Sequence, residues 1–203
     1  MSICRPSRQL NARYAAIIGM AAIITIEALA AEATLMQAQV TRDEPGERPG
    51  LFVRASYEFD LPQPLIDALH RGIALYFVHE FILTKERWYW TDQHVADSRF
   101  VIRLSFNPLT RRYRVSYNGL SLNFDTLEQA LPLIKNVRRW RVSSHGIAGS
   151  TDDFSAELRL RLDTSKLPKP MQVTNTNSDD WTLESEWHPV KIPDDAIDFP
   201  AKK

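Results

Sequence analysis

Between Ile73 and Leu83 the side chains are apolar on both faces of an extended segment. Ile73, Leu75, Phe77, Phe81 and Leu83 point one way while Ala74, Tyr76, Val78 and Ile82 point the other, because successive side chains on a strand alternate. A strand with two apolar faces belongs in the middle of a sheet covered on both sides. It predicts a packed, two-layer fold.

The rest of the chain supplies neighbours for it. Leu35 to Val40 and Leu51 to Phe59 read as a hairpin, joined across a turn rich in proline and glycine. In the second of these strands Val53, Ala55, Tyr57 and Phe59 alternate with Arg54, Ser56 and Glu58, giving one buried and one wet face. Beyond the central strand, Arg87-Trp88-Tyr89-Trp90 reads as extended and Thr91 to Ser98 as a turn. Phe100, Ile102, Leu104 and Phe106 then alternate with Val101, Arg103 and Ser105. Asn107-Pro108-Leu109-Thr110 breaks the pattern before Tyr113, Val115 and Tyr117 resume it, so a second hairpin is expected. Asn118-Gly119 marks another turn, followed by a short strand from Leu120 to Phe124. Trp140 to Ser143, Phe154 to Leu162 and Trp181 to Trp187 complete the strands. Leu167-Pro168-Lys169-Pro170 forms an extended crossover between the last two, since each proline also restricts the residue before it.

Two short helices interrupt the strands. Asp60 can cap the first, with Pro62 in its first turn, Leu61, Leu65, Ala68 and Leu69 as its inner stripe, and Gly72 at its end. Asp125 and Glu128 suggest a capping box for the second, where Leu127, Leu131 and Ile134 fall at helical spacing. Pro132 requires that helix to be short or kinked. The expected architecture is mainly β: an antiparallel β-sandwich or curled sheet of about eight or nine strands with two short helices. The alternative is an α+β single antiparallel sheet with both helices on one face.

The first thirty residues read differently from the rest. Arg5, Arg8 and Arg13 precede an apolar run from Tyr14 to Ile26, and Glu27-Ala28-Leu29-Ala30 follows with small residues at the minus three and minus one positions. That is the pattern of a secretory signal peptide cleaved near Ala30, which places the mature protein in the periplasm. A retained membrane anchor is the minor alternative, since a spanning helix needs about 20 apolar residues. The domain is then residues 31–188, and residues 189–203, with Pro189, Pro193 and Pro200, form a flexible tail. Cys4 is the sole cysteine and leaves with the leader, so no disulfide or thiolate site is available.

Charge narrows the partners. Without the leader, 22 basic side chains face 24 acidic ones, which disfavours nucleic acid, whose recognition needs a basic domain. The arginines are nevertheless patterned: Arg112 and Arg114, Arg139 and Arg141, and Arg159 and Arg161 fall as i, i+2 pairs, and Arg103 is placed likewise. On neighbouring strands they would form a guanidinium field suited to phosphate or carboxylate, in a lipid headgroup, a glycan acid or an acidic protein face. Glu157, Asp163, Glu184 and Glu186 are numerous enough to neutralise that face, and the charge balance favours this plainer reading. Trp88 and Trp90 share a face and could stack on sugars or sit at a membrane interface, although sheet packing is the commoner role.

Catalytic motifs are missing from the expected places. Ser143-Ser144-His145 has no nucleophile elbow around it, and His79-Glu80 lacks the second histidine of a zinc-protease helix. His79 reads as a core histidine. Glu58, Asp163, Glu184 and Glu186 lie on wet faces, where a glycosidase-like carboxylate pair is conceivable but ion pairing with arginine is favoured. Nothing in the sequence asks for a cofactor or a metal.

Several landmarks together resemble a known family. Arg71-Gly72, Arg87-Trp88-Tyr89-Trp90, Asn107-Pro108-Leu109-Thr110, Trp140, Arg161-Leu162-Asp163 with Leu167-Pro168-Lys169-Pro170, and Trp181 occur in order along the mature chain. In these the chain resembles the proteobacterial exported proteins grouped as domain of unknown function 4390. Pro132 departs from that pattern and bears only on the second helix. The resemblance implies a periplasmic domain, often encoded near a membrane sensor histidine kinase, and brings no catalytic residue or ligand with it. The expected function is that of a non-enzymatic binding or regulatory partner of an envelope protein, a sensor histidine kinase among them. The alternatives are a binder of an anionic lipid or glycan, through Arg103, Arg112, Arg114, Arg139, Arg141, Arg159 and Arg161 with Trp88 and Trp90, and an envelope hydrolase using paired carboxylates. Oligomeric state is not legible in the sequence.

Overall fold

The computed structural model describes residues 31–42, 50–85, 93–143, 153–169, 171 and 181–193. Its strands are β1 (Ala31–Glu32), β2 (Thr34–Arg42), β3 (Leu51–Glu58), β4 (Leu75–Lys85), β5 (Gln93–Asn107), β6 (Arg112–Tyr117), β7 (Leu120–Phe124), β8 (Asn136–Ser143), β9 (Phe154–Leu162), β10 (Leu183–Glu184) and β11 (His188–Pro189). Helices α1 (Gln63–His70) and α2 (Leu127–Lys135) complete it. The larger sheet runs β1-β10-β9-β4-β5-β6-β7, with β11 added to β9, and the smaller runs β2-β3-β8. All pairings are antiparallel except the two-residue β1–β10 contact. The mainly β, two-sheet architecture is the one the alternation implies. Among the described residues no helix is long and apolar enough to cross a membrane.

β4 is central, paired with β5 on one side and β9 on the other. Leu75, Phe77, His79, Phe81 and Leu83 form its inner face and are fully buried. The two layers meet there through rings: Phe59 stacks on Phe77 at 6.0 Å, Tyr57 lies 5.4 Å from His79, and Trp140 meets Phe81 edge-on at 6.4 Å. Each large side chain taken fully out of water contributes about 1.5–3 kcal/mol, so this seam is a principal source of cohesion. Both helices lie on the same side as the small sheet, Leu65 and Leu69 of α1 and Ala130 and Ile134 of α2 being buried in the shared core.

The outer face of β4 is covered in part as well: Val78 and Glu80 are buried there, beside Arg161 and Arg159 of β9.

Local details differ. Strand β5 starts at Gln93, inside the stretch expected to turn, and β8 starts directly after α2 rather than at Trp140. Pro62, not Asp60, precedes α1 and brings no side-chain cap. Helix α2 is capped by Thr126, whose hydroxyl accepts from the Gln129 N–H, while Gln129 Oε1 accepts from the Asp125 N–H. The capping pair is thus one residue later than Asp125 and Glu128. The strand expected from Trp181 to Trp187 is split into β10 and β11, because the Ser185 hydroxyl takes the Leu160 N–H in place of a backbone carbonyl. Leu167 is extended and buried, as a proline-bounded crossover requires. Pairing continues to Pro189, and Val190 is buried against the core. Residues 1–30, where the leader is expected, and residues 194–203 lie outside the described residues.

Candidate functional site

Register alone decides which arginines meet. On β5, Arg99 pairs with Glu80 and Arg103 with Tyr76; on β9, Arg159 pairs with Glu80 and Arg161 with Val78. On β6, Arg112 pairs with Asn107 and Arg114 with Ser105. Five of them flank buried core residues and Arg99 flanks the half-buried Ser98 and Phe100, so all six stand on the outer face of the large sheet. Five of the seven arginines singled out from the sequence, namely Arg103, Arg112, Arg114, Arg159 and Arg161, thus share one face.

Arg139 and Arg141 do not join them. They lie on β8 in the small sheet, where Arg141 pairs with Phe52 and Arg139 places its guanidinium 5.2 Å from the Phe52 ring. Arg139 and Arg141 still flank the buried Trp140 on one face of β8, the bulge and the positive φ of 58° at Arg139 falling just before them, but that face belongs to the other sheet. Trp88 and Trp90 lie outside the described residues.

The centre of the outer face is organised by a residue the sequence reading passed over. Glu80 is 4 % exposed, a carboxylate in the middle of the central strand. Arg159 Nε donates to its Oε2 at 2.7 Å, Arg161 Nη2 donates to Oε1 at 3.1 Å, and Arg99 Nε lies 3.4 Å from Oε1. Burial pushes the Glu80 carboxyl up, but the hydrogen bonds from Arg161 and Arg159 and their charges outweigh it, so the group is held below the usual carboxylate range. Arg159 also sits 4.4 Å from the Trp187 ring, and Arg161 approaches Asp163 at 4.0 Å. The visible signal was an acid at an outward position between Val78 and Ile82 with no local partner. Its partners are about eighty residues away in sequence, beyond the reach of spacing.

At the other end of the face, Arg103, Arg112 and Arg114 line an open cleft of about 500 Å³ with Ser105, Asn107 and Asn123. The β5–β6 turn builds it: Asn107 Oδ1 accepts from the N–H groups of Leu109 and Thr110, and Arg111 closes the hairpin at a φ of 51°. Arg114 Nε donates to Asn123 Oδ1 at 3.1 Å, Arg112 pairs with Asp125 at 3.1 Å, and Arg103 lies 5.9 Å from the Tyr76 ring. Among the described residues neither Arg103 nor Arg114 has a carboxylate within ion-pair distance. The cleft therefore offers oriented guanidinium forks, the geometry that binds phosphate or carboxylate.

Other candidates fall into structural roles or apart. His79 is fully buried and donates from Nε2 to the Ile134 carbonyl at 3.1 Å. Asp163 caps the turn at Thr164–Lys166 through the Ser165 N–H and hydroxyl. Glu58 of the small sheet pairs with Lys135 of α2, whereas Asp163 and Glu184 flank Arg161 on the large sheet, so Glu58 stands apart from the other two acids. Among the described residues no cluster of three metal-ligating side chains occurs.

No curated protein and no solved structure matches the chain. The family described as domain of unknown function (DUF4390) matches residues 30–191, which contain every strand and helix described above. The chain belongs to that family.

Proposed function

We propose that this is an exported, non-enzymatic binding protein whose large-sheet outer face recognises an acidic partner in the bacterial envelope. One observation carries the reading: arginines from β5, β6 and β9 converge on one open sheet face, and Arg103 and Arg114 are held in place by an aromatic ring and an amide instead of by acids. The patch extends over the width of strands β9, β4, β5 and β6, about 14 Å at the usual strand spacing. A span of that size suits an acidic protein surface better than one small headgroup. The leader pattern, and the family resemblance with its implied placement near a membrane sensor histidine kinase, make the extracytoplasmic part of such a kinase the first partner to test.

The concavity at Arg103, Arg112 and Arg114 supports a second reading, an acidic glycan or lipid headgroup seated in the cleft. One experiment separates the two. The tagged protein is cross-linked in intact cells beside an Arg103→Glu, Arg112→Glu, Arg114→Glu variant, and co-purifying proteins and lipids are identified by mass spectrometry. An envelope protein enriched with the wild type and lost with the variant supports the first reading, and an acidic glycan or lipid lost in the same way supports the second. Equal recovery of every partner by both proteins would overturn the assignment of this face.

A further inference from the structure

A second site lies away from the outer arginine face, at the open side of the molecule where the two sheets diverge. Strand β8 is an edge of the small sheet and β7 an edge of the large one. Between them, Phe100, Tyr117, Leu122, Pro132, Leu133 and Val137 line an apolar pocket of about 410 Å³. Phe100 and Tyr117 pack ring to ring at 5.7 Å to form its aromatic wall. Leu120 and Leu122 of β7 are 58 % and 43 % exposed, although strand pairing puts Leu122 on the same face of the sheet as the buried Val115. The core thus continues into a cavity that no described element closes, of a size typical of small-ligand sites.

The rim of this pocket is cationic. Asn136, Val137 and Arg138 are shared with an adjoining polar pocket of about 240 Å³ that also contains Arg54, Gln37 and Gln39. Among the described residues neither Arg54 nor Arg138 has a carboxylate within ion-pair distance. Asn136 is already committed, accepting from the Ser56 hydroxyl and donating to the Pro132 carbonyl. The bulge in β8 accounts for Arg138: with Arg139 at positive φ, both residues are exposed where strict alternation would turn one inward. Bulges re-aim side chains in this way, and a non-glycine residue in the left-handed region persists only where its surroundings enforce it.

An apolar chamber with an unpaired guanidinium at its mouth matches one chemical class. We propose that this groove binds a single-chain amphiphile with an anionic head, the tail between Phe100, Tyr117, Leu122 and Leu133 and the head against Arg138. Its guanidinium can donate to either a carboxylate or a phosphate. A two-chain lipid would exceed a chamber at the lower end of the ligand-pocket range.

The test is a fluorescence titration of the full chain with dansyl-undecanoate, followed by displacement with laurate, dodecyl phosphate, 1-dodecanol and sodium phosphate. Saturable binding is expected, displaced by laurate or dodecyl phosphate at concentrations at least about tenfold below dodecanol, the ratio a charge-assisted hydrogen bond produces. Which anion displaces first tells carboxylate from phosphate. Arg138→Gln, an exposed position that leaves folding intact, should weaken binding about tenfold, with recovery in Arg138→Lys. Leu122→Trp should block the chamber. Reversing Arg103, Arg112 and Arg114 should change nothing, which keeps this site separable from the outer face. Dodecanol competing as well as laurate while Arg138→Gln binds like the wild type would overturn the proposal, as would the absence of saturable binding. A loss of binding in the Arg103, Arg112 and Arg114 variant would overturn it too, by moving the site to the other face.

Discussion

His79 makes the stability of this protein depend on pH in a way that can be worked out in advance. Burial disfavours the imidazolium and lowers the His79 pKa from 6.5 to about 3, with the hydrogen bond to the Ile134 carbonyl offsetting a small part. That bond fixes the neutral tautomer with the proton on Nε2, and Nδ1 is buried without a partner. In the unfolded chain the ring takes a proton below about pH 6.5. The folded-state pKa is the lower one, so the native state has its full advantage above 6.5 and loses it as the pH falls toward 3. Each pH unit inside that window costs about 1.4 kcal/mol, so at pH 5 the loss from this residue is about 2 kcal/mol. The perturbation is His79→Gln, whose amide can donate to the same carbonyl but does not titrate. Urea denaturation of both proteins at pH 7 and pH 5, followed by tryptophan fluorescence, gives the double difference. The wild type should lose about 2 kcal/mol more than the variant over that interval, because every other titrating group is common to both and cancels. Equal losses in the two proteins would refute the reasoning, since they would mean that a proton reaches His79 in the folded state.

Glu80→Gln should lower stability at pH 7 by about 2 kcal/mol, less than a fully buried pair would cost because the three arginines remain partly in water. In a thermal melt that is about 4–8 °C for a domain of this size. The gap should narrow as the pH falls below the usual carboxylate range, because the carboxyl of the unfolded chain takes up a proton there before the native one does, and a gap that stays constant from pH 7 into acid would show that charge is not its source. Gly119→Ala should cost about 1 kcal/mol, measured in the same melt, because φ at this turn residue is 80°. A Cβ there meets nothing within 4 Å, so a larger loss would point to a contact that the backbone argument lacks.

What the sequence made legible was periodicity. The two-faced β4, the β2–β3 and β5–β6 hairpins and the Asn118-Gly119 turn all follow from alternation and turn chemistry within a few residues. What it hid depends on pairing across long separations. Strand β9 lies beside β4 only because the chain returns after some seventy residues, and that return creates the Glu80 cluster. Arg99 was hidden twice, by its distant partner and by a stretch that read as a turn but extends β5. Arg139 and Arg141 follow the same i, i+2 pattern as Arg112 and Arg114, yet their strand belongs to the small sheet, which takes them elsewhere. Spacing states which side chains share a face of one strand and cannot state which strands share a sheet.

The same limit explains why an overall charge count was a poor guide to the arginines. A near-neutral balance of charge beyond residue 30 suggested that interleaved acids would neutralise them. Neutralisation turns out to be local and uneven. One buried carboxylate gathers Arg99, Arg159 and Arg161, which makes these three chiefly structural: they hold β4 between its neighbours. Arg112 is matched by Asp125 at the surface, a pair of little energetic weight that a stronger anion could displace. Arg103 and Arg114 on one side of the molecule, and Arg54 and Arg138 on another, are positioned without an acid among the described residues. Desolvating a guanidinium that already has a carboxylate gains little, whereas an unpaired one held in a defined orientation can meet a ligand without first giving up a partner. Availability for binding therefore follows from the pairing pattern, and it separates the two regions proposed to take anions by what surrounds them: a broad sheet face on one side of the molecule, and the mouth of an apolar chamber on another.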